Sequence, residues 1–322
     1  MSALKLVFNM LIFPGGLFAI MLGMLLMGVD RKLYARIQRR VGPPLYQPFI
    51  DLVKLLQKEI LVPQTANYTV FRAAPLIGFI GMLAAAVMIP ISGVYPGLDS
   101  SANLLVLLYL LATPALALMI GASASGSPYS AIGYSREMSI TIAYEAPLLV
   151  VLMTVAMKVG MANGGFADFS LGHIISYQQQ NGSMIFDITM LPALLAFLCC
   201  IPATIGTVPF DIPEAETELA EGPLLEYSGS GLAMYNLTGG LKMVIISALA
   251  VALFFPGTLG SFWLINLLWF VFKCLLVITL TITVVRATRA RMRMDQALKF
   301  YLTVPVALAL VSLVLTLLGV RI

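Results

Sequence analysis

The amino-acid sequence predicts an all-α protein embedded in a membrane, and three observations lead to this class. First, 60% of the 322 residues are hydrophobic and only 11% are charged, whereas a soluble domain is about half apolar and a quarter charged. Second, eight apolar runs are about long enough, at ~20 residues, to cross a bilayer core as helices. Third, Lys and Arg concentrate between alternate runs. This composition excludes a water-soluble enzyme, a disordered chain, a collagen-like fibre and a disulfide scaffold.

The eight runs are predicted to be the transmembrane helices of a single membrane domain, residues 1–322. Only helices satisfy backbone polar groups across lipid over such lengths. The runs lie near residues 7–29, 71–92, 102–122, 138–159, 185–207, 237–256, 262–285 and 300–319. The first has 23 residues, which is too long for the apolar part of a signal peptide, so a retained helix is expected.

The distribution of basic residues predicts the orientation. The loops after spans one, three and seven hold 14 of the 19 Lys and Arg residues. Positive charge marks the cytoplasmic side of a membrane, so both termini are expected outside the cell membrane. The functional loops, expected in the cytoplasm, are residues 30–70, 123–137, 208–236 and 286–299. The net charge of +4 serves this orientation, and no nucleic-acid partner is expected.

The first cytoplasmic loop is predicted to contain an amphipathic helix over residues 46–61. Its apolar stripe comprises Leu52, Leu55, Leu56 and Ile60, and its charged stripe comprises Asp51, Lys54 and Lys58. This pattern is typical of a helix that lies on a membrane surface or against a partner.

The loop predicted between spans five and six is acidic, with six of the chain's 15 acidic residues and no Lys or Arg. The six are Asp211, Glu214, Glu216, Glu218, Glu221 and Glu226. One interpretation is a solvated helix start, stabilised by the helix dipole. If the row instead packs against protein, its pKa values are raised and coupled, near the range useful for proton transfer.

Local spacing predicts a short helix in this loop. Asp211 and Glu214 fit a capping box, with Pro213 in the first turn. In such a helix Glu214, Glu218 and Glu221 share one face and repel one another. The nearest available cations are arginines of the other loops. Three of these are spaced to share a helical face, namely Arg286, Arg289 and Arg293.

Three ionisable residues fall inside the predicted spans. Glu145 lies about two turns into span four, Lys242 one turn into span six, and Lys273 near the middle of span seven. A charge at membrane depth costs about 2.5–3.5 kcal/mol, so such residues usually face a bundle interior or a water path. Lys242 has the alternative of extending its ammonium to the cytoplasmic interface.

The cysteines offer no ligand pattern. Cys199, Cys200 and Cys274 lie in apolar runs without metal-ligand spacing. No metal and no iron–sulfur cluster is therefore expected in this chain.

The loops resemble a known family. The carrying motifs are Arg40-Val-Gly-Pro, the segment Asp51-Leu-Val-Lys-Leu-Leu-Gln-Lys-Glu59, Arg136 nine residues before Glu145, and Pro209-Phe-Asp-Ile-Pro-Glu-Ala-Glu-Thr-Glu-Leu219. They look like the eight-helix connecting subunit of respiratory complex I, called subunit 1 or H. In that family, helices two to six form a unit similar to half of an antiporter-like subunit.

Two departures indicate a branch of the family. The motif continues as Ala220-Glu-Gly-Pro-Leu-Leu-Glu-Tyr, which resembles membrane-bound energy-converting nickel–iron hydrogenases and formate hydrogenlyase. Ile140 stands where complex I usually has a glutamine. Both departures argue against a quinone pocket of the usual kind.

The resemblance implies a non-catalytic subunit that anchors a soluble arm and couples its redox chemistry to proton or sodium movement. Iron–sulfur clusters and a nickel–iron centre are then expected in partner subunits: soluble hydrogenase-like large and small subunits and a ferredoxin-like iron–sulfur subunit. Antiporter-like membrane subunits and the lipid bilayer complete the expected partners.

The expected roles divide into two sets. The proton or ion path comprises Glu145, Glu214, Glu216, Glu218, Glu221, Glu226, Asp211, Lys242 and Lys273. Docking or charge balance falls to Arg36, Arg40, Asp51, Lys54, Lys58, Arg136, Glu137, Arg286, Arg289 and Arg293. No residue is assigned a catalytic or metal-binding role.

Other functions remain open at this point. The chain can be the quinone-site subunit of an NADH:quinone oxidoreductase, the equivalent subunit of a sulfur-reducing relative, or a free-standing ion transporter. The amphipathic helix and the charged cytoplasmic surface favour docking over the last of these.

Overall fold

The computed structural model describes residues 3–98 and 102–319, and within these ranges all regular structure is helical. The prediction of an all-α protein is therefore confirmed. The helices are α1 (Ala3–Leu11), α2 (Gly16–Ile37), α3 (Gln47–Leu56), α4 (Tyr68–Met88), α5 (Leu104–Ser125), α6 (Pro128–Ala162), α7 (Leu171–Asn181), α8 (Leu191–Ile205), α9 (Glu216–Leu219), α10 (Gly229–Phe254), α11 (Trp263–Ile278), α12 (Val284–Thr288) and α13 (Met294–Leu317). A π-helical turn, Thr279–Thr283, joins α11 to α12.

Seven helical segments in the described ranges are long and apolar enough to cross a membrane. They correspond to seven of the eight predicted spans. The remaining run, predicted at 185–207, forms α8, which has only 15 residues. Its first part is a turn because the Asp187 carboxylate accepts hydrogen bonds from the backbone N–H and the hydroxyl of Thr189 (3.0 and 2.7 Å).

Two helices begin well before their predicted starts. Helix α6 begins at Pro128 instead of 138, because Gly126 ends α5 in the left-handed conformation (φ 69°) and proline suits a first helical turn. Arg136 and Glu137 are consequently helical, not part of a 123–137 loop. Helix α10 begins at Gly229 instead of 237. Hydropathy misses both extensions because their residues are too small and polar to belong to an apolar run.

Helix α10 lies at the centre of the bundle, and from Gly240 to Phe254 every residue is buried. It packs closely against α2: a Cβ built on Gly23 would lie 2.6 Å from the carbonyl oxygen of Gly240. Only glycine permits this approach of two helix backbones. Lys242, the one charged residue of α10, is therefore buried inside the bundle.

Four inter-helix segments meet at one end of the bundle, which we call the acidic end. Hydrogen bonds join Asn67 N–H to the Ala124 carbonyl (2.9 Å), the Ser130 hydroxyl to the Gly222 carbonyl (3.2 Å) and Met292 N–H to the Pro209 carbonyl (3.0 Å). The acidic loop, residues 206–228, lies at this end. The opposite end, here the far end, carries α7 and the Lys158–Asp187 ion pair (2.7 Å).

Candidate functional site: a charged cavity beneath the acidic loop

The acidic loop is mostly irregular, and the predicted capping box is absent. The only α-helix in it is α9, which has four residues. Phe210 instead packs against the rings of Phe300 and Tyr301 of α13 (centroids 5.9 and 4.8 Å apart). Because these tertiary contacts hold the backbone, the local capping signal is overridden.

The predicted row of three glutamates on one helical face is also wrong. Glu214 precedes α9, Glu218 lies in it, and Glu221 follows it with a left-handed backbone (φ 74°). Glu218 and Glu221 are exposed, whereas Glu214 is half-buried and turned toward the interior. The loop therefore separates one inward carboxylate from outward ones.

Arg291 clamps the loop, and the sequence analysis did not identify it. Its guanidinium donates two hydrogen bonds to the carboxylate of Asp211, with N–O distances of 2.9 and 2.6 Å, and a longer one to the Thr217 hydroxyl (3.4 Å). Paired, parallel bonds of this kind are strong and directional. The segment that contains Arg291, residues 289–293, is rich in arginine. This composition was the only available signal, since the segment is not helical.

Arg286, Arg289 and Arg293 do not share a helical face, contrary to the prediction. Helix α12 ends at Thr288, and Arg289 has an extended backbone, so the helical spacing is lost. Arg289 and Arg293 are exposed. Arg286 instead binds Asp30 (3.4 Å) and lies over the ring of Tyr34, 4.6 Å from its centroid.

Asp30 is a second residue that the sequence analysis overlooked. It is only 6% exposed near the end of α2, and it accepts a 2.6 Å hydrogen bond from the Thr283 hydroxyl in the π-helical turn. Its position as the one acidic residue next to the first span was the available signal.

A second ion pair joins the loop to α6. The Arg136 guanidinium lies 2.6 Å from the Glu218 carboxylate. The hydrogen bond from Arg136 and its positive charge lower the pKa of Glu218. Glu218 is thus an ionised surface partner of α6.

Beneath the loop lies a cavity of about 160 Å³ that we call the charged cavity. Its walls come from α2, α5, α6, α8 and α10, and its ionisable lining residues include Glu137, Glu214 and Lys242. Glu137, placed among the docking residues by sequence, is in fact part of this interior cluster. At about 30 Å³ per molecule, such a space is large enough for several waters.

Burial raises the pKa of Glu214 to about 7, and the negative charge of Glu137 adds to the shift against the opposing attraction of Lys242. Asp211 and Glu221 contribute further repulsion. A carboxyl group with a pKa near 7 exchanges its proton readily at neutral pH. Glu214 therefore has the chemistry of a proton donor and acceptor.

Lys242 is inside the bundle, so the alternative of an interfacial ammonium is wrong. The early start of α10 leaves Lys242 in the middle of a 26-residue helix, and the residue is only 7% exposed. The charges of Glu137, Glu214 and Glu145 all act on it. No described carboxylate forms a direct ion pair with it.

A polar stripe on α6 continues inward from the charged cavity. Glu137, Thr141 and Glu145 follow one another at intervals of four residues, and Tyr144 is three residues after Thr141, so all four lie along one side of the helix. The hydroxyls of Thr141 and Tyr144 are buried next to each other in this stripe. Buried hydroxyls are normally satisfied, often by ordered water. The stripe extends about 12 Å along the helix axis to the half-buried Glu145.

Two other predicted path residues, Glu226 and Lys273, do not line the charged cavity. Glu226 is half-buried near the end of the loop, and Glu216 begins α9 with a side chain outside the described part. Lys273 is held elsewhere: its ammonium donates to the carbonyls of Phe255 (2.7 Å) and Gly257 (2.6 Å) just beyond α10. Those carbonyls are at the far end of the bundle.

The predicted amphipathic helix is present as α3, which ends at Leu56 and so excludes Ile60. Asp51 binds Gln47 (2.8 Å) and Arg31 (3.0 Å). Burial opposes its ionisation, but these hydrogen bonds outweigh that effect and lower the pKa of Asp51. The other basic residues predicted for docking in this part of the chain lie at the acidic end and are exposed, namely Arg36, Arg40, Lys54 and Lys58.

Among residues 3–98 and 102–319, no three His, Cys, Asp or Glu side chains are grouped so that they could hold a metal ion. The three cysteines are free thiols in the bundle.

The sequence matches the protein family described as NADH dehydrogenase over residues 9–317. It is 34% identical over 302 residues to the H-type subunit of the NADH-quinone oxidoreductase of Syntrophotalea carbinolica, covering 89% of this chain and 88% of that protein. It is 34% identical over 239 residues to hydrogenase-4 component C of Escherichia coli, covering 74% and 72%.

Among solved structures, a chain of the membrane-bound sulfane sulfur reductase, described as an archaeal respiratory membrane complex, is similar. The TM-score is 0.83 at 29% sequence identity, over 93% of this chain and 96% of that chain.

Proposed function

Because the chain belongs to the NADH dehydrogenase family and is a membrane subunit like the connecting subunit of complex I, we propose that it couples electron transfer in a soluble arm to ion movement through the membrane. The resemblance seen in the sequence motifs is confirmed by these relatives. Hydrogenase-4 component C and the sulfane sulfur reductase chain fit the hydrogenase-like branch.

The observation that carries this proposal is the charged cavity. Glu214 under the acidic loop, Glu137 and Lys242 line it together, and the stripe of α6 continues it to Glu145. Protons enter at Glu214, exchange with Glu137 through water, and reach Glu145 past the hydroxyls of Thr141 and Tyr144. Lys242 supplies the counter-charge that keeps carboxylates ionisable inside the bundle.

The proposal includes the topology. Helix α8 is the eighth crossing: it begins two residues after Thr189, whose carbonyl accepts a hydrogen bond from Ser312 at the far end, and it ends at the acidic loop. With its 15 residues rising about 1.5 Å each, it spans roughly 22 Å, and turns at both ends complete the crossing. The acidic end lies on the cytoplasmic side of the cell membrane, since it carries most of the basic residues.

The partners follow from the same surfaces. Hydrogenase-like large and small subunits and a ferredoxin-like iron–sulfur subunit dock on the exposed charges of the acidic end. These charges are Glu221 and the basic side chains of Arg36, Arg40, Lys54, Lys58, Arg289 and Arg293. Antiporter-like membrane subunits lie beside the bundle. Iron–sulfur clusters and the nickel–iron centre reside in those partners.

A second candidate differs only in the terminal acceptor. The similarity to a chain of a sulfane sulfur reductase, at 29% identity, favours a complex that reduces sulfur compounds instead of protons. Purification of the complex from its host decides this. A nickel-containing large subunit supports the hydrogenase, and sulfur-dependent turnover without nickel supports the alternative.

The coupling role is tested by Glu145→Gln, with Glu59→Gln as a matched control at an exposed position. Electron transfer through the soluble arm to an artificial acceptor should stay near the wild-type rate in both. Ion uptake into membrane vesicles should fall roughly tenfold or more only in Glu145→Gln, because a proton-transfer group is lost. Wild-type uptake in that variant contradicts the proposal.

A further inference from the structure

A second, separate concavity lies at the acidic end, and we call it the lateral groove. It has a volume of about 450 Å³ and lies between the start of α4, residues 60–61 and the start of α10. It shares no lining residue with the charged cavity. A volume in the range of about 300–1,000 Å³ is typical of pockets for single small molecules, and a partner helix needs a longer surface.

The lateral groove is preformed. Its floor is the buried ring of Phe71 stacked on Tyr227, with centroids 4.1 Å apart, and the Tyr227 hydroxyl donates to the Phe71 carbonyl (3.0 Å). The Ser228 hydroxyl accepts from Leu61 N–H (3.0 Å) and donates to the Glu59 carbonyl (3.1 Å). These bonds tie opposite walls together, so a ligand meets an ordered site and little ordering entropy is lost.

The walls and the rim differ in polarity. Ile60, Leu61 and Leu76 are 42%, 63% and 42% exposed and form an apolar outer wall. Arg72 lies on the rim in the second turn of α4, where it contacts the Tyr68 hydroxyl and ring. This side of the protein is therefore apolar with a cationic top, as expected where a membrane's hydrocarbon meets its headgroups.

Arg72 carries an unneutralised charge. It forms no ion pair with any carboxylate whose side chain the structure describes. A guanidinium presents five donors that match phosphate geometry. The Ser230 hydroxyl, also in the lateral groove, has no hydrogen-bond partner among residues 3–98 and 102–319 and adds a further donor.

The geometry points to a binding site for an anionic glycerophospholipid. Its phosphate binds Arg72 and the Ser230 hydroxyl, and the upper part of one acyl chain lies between Leu61, Leu76 and Met234. Basic pockets between transmembrane helices are a recognised way to hold lipid headgroups. This site goes beyond the coupling role and does not depend on it.

The test uses the intact complex purified in detergent, with bound lipid counted by native mass spectrometry during titration with phosphatidylglycerol or phosphatidylcholine. Arg72→Gln should weaken phosphatidylglycerol binding roughly tenfold, because a charge-assisted hydrogen bond is lost. Arg39→Gln removes another exposed arginine, outside the groove, and should bind as wild type. Leu76→Trp keeps the charge but fills the apolar wall, and should weaken both lipids.

Photo-crosslinking locates the bound molecule. A phosphatidylglycerol with a photoreactive acyl chain should label peptides 60–76 and 227–234 in wild type and not in Leu76→Trp. Equal lipid binding by Arg72→Gln and wild type overturns the proposal. So does displacement of the lipid by inorganic phosphate, or labelling of the same peptides by a quinone analogue or a partner protein instead. None of these readouts measures ion transport, so this site and the coupling role fail separately.

Discussion

Glu214 and Glu218 lie four residues apart in one loop, yet their surroundings shift their pKa values in opposite directions. Burial beside Glu137 raises the pKa of Glu214 to about 7, whereas the hydrogen bond from Arg136 lowers that of the exposed Glu218. Position relative to the protein interior therefore decides which carboxylate has a pKa near neutral pH. Sequence spacing assigned both to one face and could not distinguish them.

Glu214→Gln should stabilise the protein at high pH. In the wild type, the folded state binds the Glu214 proton more tightly than the unfolded chain does. The stability that this proton contributes is fully present below a pH of about 4.5 and is lost as pH rises through 7. The facing groups are Glu137, Asp211, Glu221 and Lys242. The melting temperature of Glu214→Gln should exceed that of wild type at about pH 8, with little difference near pH 4.5.

Glu218→Gln is the control for the sign of this effect. Its wild-type carboxylate is favoured by Arg136, so the substitution should lower the melting temperature slightly at about pH 8. A Glu214→Gln variant that is less stable than wild type at this pH would show that the carboxylate is not buried beside like charges.

Lys242→Met should expose the electrostatic role of the buried ammonium. Without it, Glu137 and Glu214 lose their counter-charge, and stability should fall at about pH 8 because like charges then remain in the cavity without compensation. The loss should shrink near pH 5, where Glu214 is protonated. Chemical or thermal unfolding measures both values. The double variant Lys242→Met, Glu137→Gln should recover part of the loss, and equal loss in single and double variants contradicts a shared cluster.

Among elements, the acidic loop is held by α6 through Arg136 and by residues 289–293 through Arg291. The Arg291–Asp211 pair is bidentate, and Phe210 packs against α13. A loop without long helices thus keeps one conformation through contacts with its neighbours.

Arg291→Ala should loosen this loop. Losing the paired charged hydrogen bonds costs about 1.5–3 kcal/mol, so amide hydrogen exchange over residues 208–224 should accelerate roughly 10- to 100-fold by local opening. Arg289→Ala, two residues away and exposed, should leave exchange unchanged. Unchanged exchange in Arg291→Ala would mean that Phe210 and Ile212 alone hold the loop.

The sequence predicts the helices whose apolar composition suits a lipid environment, but it does not predict the contacts that these helices make with other parts of the protein. Seven spans follow from length and hydropathy alone. Hydropathy did not predict the early starts of α6 and α10, because these starts contain polar residues such as Glu137. Arg291 escaped because no periodicity marks an irregular segment, and the helical face assumed for Arg286, Arg289 and Arg293 depended on a helix that ends at Thr288.

Across the whole molecule, charge is organised from one end inward. The acidic end carries outward basic and acidic side chains, the charged cavity lies beneath it, and the stripe of α6 leads toward Glu145. Lys273 and the Lys158–Asp187 pair belong to the far end, where they bind neighbouring backbone and side chains.

The most direct test is the ratio of ions moved to electrons transferred by the complex in sealed vesicles carrying Glu137→Gln. Glu137 is chosen because it lines the charged cavity together with Glu214 and Lys242. The account predicts a several-fold lower ratio with electron transfer retained, because the relay between Glu214 and Glu145 is broken. A wild-type ratio would contradict the account, since ions would then move without the Glu137 carboxylate in the charged cavity.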